Sequence, residues 1–309
     1  MCLVIVLCLN TNSLALDKKA SLALSHYIMA VMYDDLGDVD KAIAEYKKAL
    51  KSDSENSVIH LNLAASYIKK NDIPKAIEEA KLAINIAPEA IEPHAILALL
   101  YSSQDKKDLA TGEYKIALEN ASKLEPKNID IYKSLGAVYI QQKNFKDAEN
   151  TYKLVLDLAP NDAEAHFYLG SVYNELKEVN RAEKELWRAI ELDPDYAEAL
   201  NYLGYMFVES SKNLNQAEVM IKKAIELDPN NGAYLDSLGW LYFKRGKPKE
   251  AIQELEKAHL LLEDPVIYDH LGEAYLKIKE IDKARLNWEK SLKLDPKQEG
   301  LKIKLEKLK

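Results

Sequence analysis

Residues 197–231 read AEALNYLGYMFVESSKNLNQAEVMIKKAIELDPNN. A small residue, Gly204, is followed three positions later by an aromatic, Phe207; Ala217 comes next, and the segment closes on Leu227, Asp228 and Pro229. The same order recurs along the chain. Small residues stand at Ala30, Ala64, Ala98, Gly136, Gly170, Gly204, Gly239 and Gly272, in steps of 34, 34, 38, 34, 34, 35 and 33. Each is followed three residues on by an aromatic: Tyr33, Tyr67, Tyr101, Tyr139, Tyr173, Phe207, Tyr242 and Tyr275. A second series, Ala42, Ala76, Ala110, Ala148, Ala182, Ala217, Ala251 and Ala284, keeps the same phase. Pro88, Pro126, Pro160, Pro194, Pro229 and Pro296 close most of the units.

Two antiparallel helices explain the pattern. Helix axes approach within about 8–10 Å where a small residue lets one surface nest in the other, and the aromatic fills the groove beside it. Proline cannot continue a helix and drives the residue before it toward extended geometry, so it marks the turn into the next unit. A hairpin of this kind leaves one apolar face uncovered, and only stacked neighbours can bury it. The expectation is an all-α solenoid of about eight helix-turn-helix units. A coiled coil is excluded, because its heptad seam would be broken by a proline and a two-helix reversal every 34 residues.

Composition narrows the function. The chain of 309 residues is 48% hydrophobic and 30% charged with only 10 Gly and 10 Pro, which suits long helices joined by short turns. A net charge of −8 argues against nucleic acid, whose binding needs a basic face to release counterions. A helical RNA-reading repeat fails on the same ground. No Gly-rich phosphate loop, no HExxH and no nucleophilic serine on a strand-turn-helix is present. Both cysteines, Cys2 and Cys8, fall in the first ten residues. The repeats leave no second domain for a catalytic site, so the reading is a non-enzyme with no cofactor, no metal and no small-molecule substrate.

Four of the six histidines, His26, His60, His94 and His166, hold the same fourth place in their units. Zinc needs ligands about 2.0–2.1 Å from one centre, and units one helix spacing apart cannot supply that. These histidines are read as packing residues.

A small residue at position 8, an aromatic at 11, Ala at 20 and Pro at 32 of a 34-residue unit resembles the tetratricopeptide repeat (TPR). The resemblance covers residues 23–298, in units 23–56, 57–90, 91–128, 129–162, 163–196, 197–231, 232–264 and 265–298. The third unit carries four extra residues near Asn120–Lys123, expected as an extra turn on its second helix. The resemblance implies a right-handed superhelix whose concave surface is lined by positions 2, 5, 9 and 12 of each first helix. In the C-terminal units those positions place Phe167, Asn201, Tyr205, Asp236, Trp240 and Phe243 on a groove, with Tyr202 at its edge. Aromatics beside amides and carboxylates suit a bound peptide. The alternative for Trp240 and Phe243 is packing on the first helix of the eighth unit. The set of basic residues and asparagines with which chaperone-binding members grip a carboxylate tail is missing; Asn62 alone matches.

Residues 1–16 carry no charge and contain an apolar run from Cys2 to Leu9 with Ser13-Leu14-Ala15 after it, the pattern of an export signal. The run is shorter than the ~20 residues a membrane-spanning helix needs. The stretch from Ala199 to Ala258 is also similar to bacterial TPR proteins exported to the envelope, so a periplasmic or envelope location is expected, and a cytoplasmic one if residues 1–16 are not a signal. Residues 299–309 place Leu301, Leu305 and Leu308 on one helical face, a capping helix. Its five lysines from Lys297 onward, against two glutamates, are read as a solvated surface, with peripheral contact to an anionic membrane as the lesser reading. The function these features imply is a scaffold that binds partner proteins or peptides. The alternatives are a self-assembling structural repeat protein and an accessory subunit of an envelope assembly or proteolysis complex.

Overall fold

The computed structural model describes residues 2–308, with side chains described from Lys18 to Leu308. The export segment expected over residues 1–16 therefore lies outside the described side chains. Seventeen helices and no strand are found among the described residues, and no helix among them is long and apolar enough to cross a membrane.

The chain forms two compact parts, Met1–Asn144 and Phe145–Lys309. The first pairs α1 (Cys2–Asp35) with α2 (Val39–Ser52), α3 (Ser57–Lys69) with α4 (Ile73–Ile86) and α5 (Ile91–Ser103) with α6 (Lys107–Leu124), and ends on α7 (Ile129–Gln141). The second opens on α8 (Phe145–Leu158). It then pairs α9 (Ala163–Glu175) with α10 (Val179–Leu192), α11 (Ala197–Glu209) with α12 (Leu214–Leu227), α13 (Gly232–Lys244) with α14 (Pro248–Leu261) and α15 (Pro265–Lys277) with α16 (Ile281–Leu294), before α17 (Glu299–Glu306). Counting α7 and α8 as the fourth unit of the sequence gives hairpins one to eight. The insertion in the third unit lengthens α6 to 18 residues against 14 in α4, one added turn.

The turn after each of these first helices uses the same device. One residue in it adopts the left-handed conformation: Gly37, Asn71, Asp105, Lys143, Lys177, Ser211, Gly246 and Lys279. The next amide then donates back to the carbonyl of the first-helix aromatic, as in Asp38 N to Tyr33 O (2.9 Å), Lys212 N to Phe207 O (2.9 Å) and Glu280 N to Tyr275 O (3.0 Å). That bond satisfies a carbonyl which the helix end leaves unpaired. A second left-handed residue, Asn213, absorbs the extra position of the 35-residue unit. Entry into α3, α7, α9, α13 and α15 is capped by side chains, as where Asp162 accepts from Ala165 N at 2.8 Å and Asp264 from Val266 N at 2.7 Å, whereas α5 and α11 start without one.

The recurring small residue is a contact point in the structure. A Cβ on Gly170 would lie 2.8 Å from Leu186 Cγ, on Gly204 2.8 Å from Ile221 Cγ1 and on Gly239 2.6 Å from Leu255 Cγ, while at Gly272 it would enter the Trp288 indole. Ala30 and Ala64 fill the same places in the first part and are wholly buried. Leu186, Leu203, Ile221 and Leu241 form one core that runs through hairpins five to seven, which is how neighbouring hairpins cover each other's apolar faces.

The four histidines at position 4 bind within their own hairpins. Nδ1 of His26, His60, His94 and His166 meets Glu45, Glu79, Glu113 and Glu185, each 19 residues on, at 2.6, 2.6, 2.6 and 2.7 Å. In the last three, Nε2 also lies 3.2 Å from a backbone oxygen of the preceding turn, that of Ser54, Pro88 or Pro160. The carboxylate lies at one ring nitrogen and the carbonyl at the other, so each of these rings joins two helices and a turn.

Candidate partner-binding surface

The first helices of hairpins five to seven carry every residue assigned to the groove, and the structure divides those residues by what they touch. Position 5 of one hairpin repeatedly meets position 6 of the next. Tyr27 accepts from Asn62 Nδ2 at 2.9 Å, Phe167 sits edge-on to Tyr202 with ring centroids 5.8 Å apart, and Asp236 Oδ1 is 2.8 Å from His270 Nδ1. These contacts span 34 or 35 residues in sequence and act as rungs between hairpins. Asn62 is engaged in the first rung.

Asp236 is buried, and its rung to His270 occupies one carboxylate oxygen. Trp240 lies between Phe243 (4.7 Å, interplanar 5°) and His270 (4.0 Å, 10°). Its indole N–H donates to Glu209 of hairpin six, and Lys244 Nζ stands 5.0 Å from its ring centroid. Trp240 thus joins three successive hairpins, and the packing on the eighth unit's first helix is present through His270. Phe167 is enclosed by Tyr168, Tyr196 and Tyr202 with centroids 5.1, 5.2 and 5.8 Å away. Tyr202 also accepts a hydrogen bond from Asn174 Nδ2 at 3.1 Å, and burial raises its pKa.

Asn201 and Tyr205 are different. They lie four residues apart on α11 and so share one helical face. Asn201 occupies position 5, but the residue at position 6 of the next hairpin, Ser237, gives its hydroxyl to Ala233 O at 3.0 Å. The Asn201 amide oxygen is buried and lacks a hydrogen-bond partner among the described residues. The Tyr205 hydroxyl is held well above the ordinary phenol range by burial first, then by the negative charge of Glu209, Asp236 and Asp269. Asn201 thus holds an unused acceptor on the helical face that also carries Tyr205.

Three participants escaped the sequence reading: Glu209, His270 and Lys304. The spacing of 34 between Asp236 and His270, and of 35 between Asp269 and Lys304, was the available signal. The terminal lysines are not uniformly solvated as expected, because Lys304 Nζ pairs with Asp269 Oδ1 at 3.1 Å and Glu273 Oε1 at 2.6 Å. The first part also holds an apolar notch of about 350 Å³, lined by Ala95, Ala98, Leu99, Ser102, Thr111 and Tyr114 among others.

Profiles described as tetratricopeptide repeat match residues 35–100 and 116–166, 220–253, and 163–196, 197–231 and 266–298. No curated protein matches the chain. Among solved structures it is similar to a tetratricopeptide repeat protein from Parabacteroides merdae, at 22% identity and TM-score 0.64, covering 82% of this chain and 98% of that one. It is also similar to a thermophilic TPR protein of Thermus thermophilus, at 23% identity and TM-score 0.51 over 58% of this chain and 98% of that one. Yeast Tom70 aligns at 21% identity and TM-score 0.54, over 95% of this chain and 64% of Tom70. At these identities the likeness is one of fold.

Proposed function

We propose that this chain, which belongs to the tetratricopeptide-repeat family, holds segments of partner proteins on the first-helix face of hairpins five to seven, centred on Asn201 and Tyr205. The family is one of non-catalytic protein-interaction scaffolds, and the chain is not an enzyme. The observation that carries the choice of site is the Asn201 amide oxygen. A buried acceptor without a donor costs about 1–3 kcal/mol, and a peptide N–H would recover it once the Asn201 side chain turns outward to meet it. Phe167, Tyr202, Trp240 and Phe243 provide the apolar walls beside it, and Asp236 and Glu209 the charge.

The test is capture of binding proteins by the purified chain, set against the double variant Asn201→Ala, Tyr205→Phe. Both substitutions remove polar atoms while the rungs and glycine contacts stay intact. A partner retained equally by both forms defeats this choice of site.

We further propose that the scaffold works in the bacterial envelope, as an adaptor within an assembly or proteolysis machine. Support comes from the uncharged residues 1–16 and the similarity of residues 199–258 to exported TPR proteins. N-terminal sequencing of the native protein tests the location: a mature start near residue 17 fits, and an intact Met1 in a cytoplasmic fraction refutes it. The rival reading, a self-assembling structural repeat, requires light scattering that grows with concentration in the purified chain.

A further inference from the structure

Helix α17 imitates the first helix of another hairpin without being one. Leu301 follows Ile267 by 34 residues, and both are buried; Lys304 follows His270 by 34, and both pair with an aspartate one hairpin back. At the next diagnostic place the imitation fails, for Glu306 stands where every other first helix has Gly or Ala. A second helix cannot nest closely there.

The hold on α17 is correspondingly slight. Among the described residues Leu301 is its single buried one, whereas α15 buries Ile267, Tyr268, His270, Leu271, Gly272 and Ala274. Ile303 is 53% exposed. Leu305 and Leu308 are only half-buried beside Leu301, and the rest of the attachment is polar: Lys304 on Asp269 and Glu273, with its Nζ also 5.5 Å from the Trp288 ring centroid, and Arg285 donating to Leu308 O at 2.9 Å. The seat itself is well made, two carboxylates of α15 above a fully buried indole of α16.

We infer that this face of hairpin eight is a docking site for a lysine-bearing amphipathic helix of a partner protein, and that α17 is its resident occupant, displaced when the partner binds. The chemistry of the occupant is set by α17: an apolar residue for the Leu301 position and a lysine three residues later for Asp269 and Glu273. A partner helix with a wider apolar stripe would bury more than α17, whose one fully buried residue is Leu301, and would displace α17 by mass action. The inference rests on the reading of the protein as a partner-holding scaffold. Its test avoids Asn201 and Tyr205, so the two can fail separately.

The probe is a fluorescent peptide of residues 297–309, titrated by anisotropy onto the full chain. Its own seat is vacated by Leu301→Ala with Lys304→Ala. The vacated chain should bind at least tenfold more tightly than the unaltered chain. Binding should disappear when the peptide carries Lys304→Glu, or when Asp269→Asn and Glu273→Gln are added to the chain. No saturable binding to a vacated chain of normal helicity, or binding indifferent to Lys304→Glu, overturns the proposal. Hydrogen exchange on the unaltered chain is the second measure. Amides of α17 should exchange at least tenfold faster than those of α15, and equal protection overturns it. A concentration-dependent dimer abolished by Lys304→Glu would put a second copy on the seat, and would likewise overturn the assignment to a partner helix.

Discussion

The indole of Trp240 and the imidazole of His270 lie face to face, centroids 4.0 Å apart and planes 10° from parallel, across the boundary between hairpins seven and eight. The same imidazole is 2.8 Å from Asp236, so one histidine links a ring and a carboxylate of the preceding hairpin. The fold and the candidate surface therefore share residues, and substitutions there have to be read for stability before they are read for binding.

Trp240→Ala removes the stack with Phe243 and His270 and the bond to Glu209. Since Trp240 is only partly buried, the loss should be about 2 kcal/mol, below the 3–5 typical of a core aromatic. Urea unfolding measures it. An unchanged midpoint would mean that Trp240 is free for a ligand and that the stack contributes nothing.

Gly272→Ala places a methyl group in the Trp288 indole, which is wholly buried and cannot swing away. Over-packing of this kind costs about 1–3 kcal/mol. Ala64→Gly, at the same place in hairpin two, should cost less, about 1 kcal/mol from helix propensity and a lost methyl contact. Thermal melts of the two variants give the comparison, and equal losses would contradict close approach at Gly272.

Glu149 makes the acid response predictable. Hydrogen bonds from Lys146 and Lys153 pull its pKa from 4.5 down to about 2. The folded value lies below the unfolded one, so the stabilisation is complete above about pH 4.5 and is lost as the pH falls through about 2. Glu149→Gln should lower stability near neutral pH by about 1 kcal/mol, since Lys146 is exposed, Lys153 is half-exposed and both are screened by solvent. It should also flatten the decline between pH 4.5 and 2. Chemical unfolding at several pH values reads both effects, and parallel profiles would contradict the pairing.

The repeat was legible because Gly204 and Phe207 are each one copy of a pattern present in all eight units, and repetition lifts a pattern above the background of sequence. The His–Glu pairs had half of such a signal. His60 and its counterparts stand out, but Glu79 is one of 50 acids and its spacing of 19 is lost among them. The left-handed turn residue was illegible for another reason. Only Gly37 and Gly246 among the eight are glycine, and Lys177 or Ser211 in that conformation is held by the Schellman bond, not by its own preference. Within the site, Asp236 was legible as a position, but its engagement was not, because the partner lies one hairpin away. Asn201 became informative through what Ser237 does with its hydroxyl, which depends on a rotamer.

The most direct test of the account replaces Tyr205 by a photoreactive phenylalanine analogue and irradiates the full chain in extract of the source organism. Lys222, exposed on α12, serves as the control position. The account predicts a discrete adduct from position 205 that is absent from 222 and is lost on Asn201→Ala, with the cross-linked segment mapped by mass spectrometry. Adducts of equal yield from both positions, or none from 205 while a partner is still captured, would contradict it.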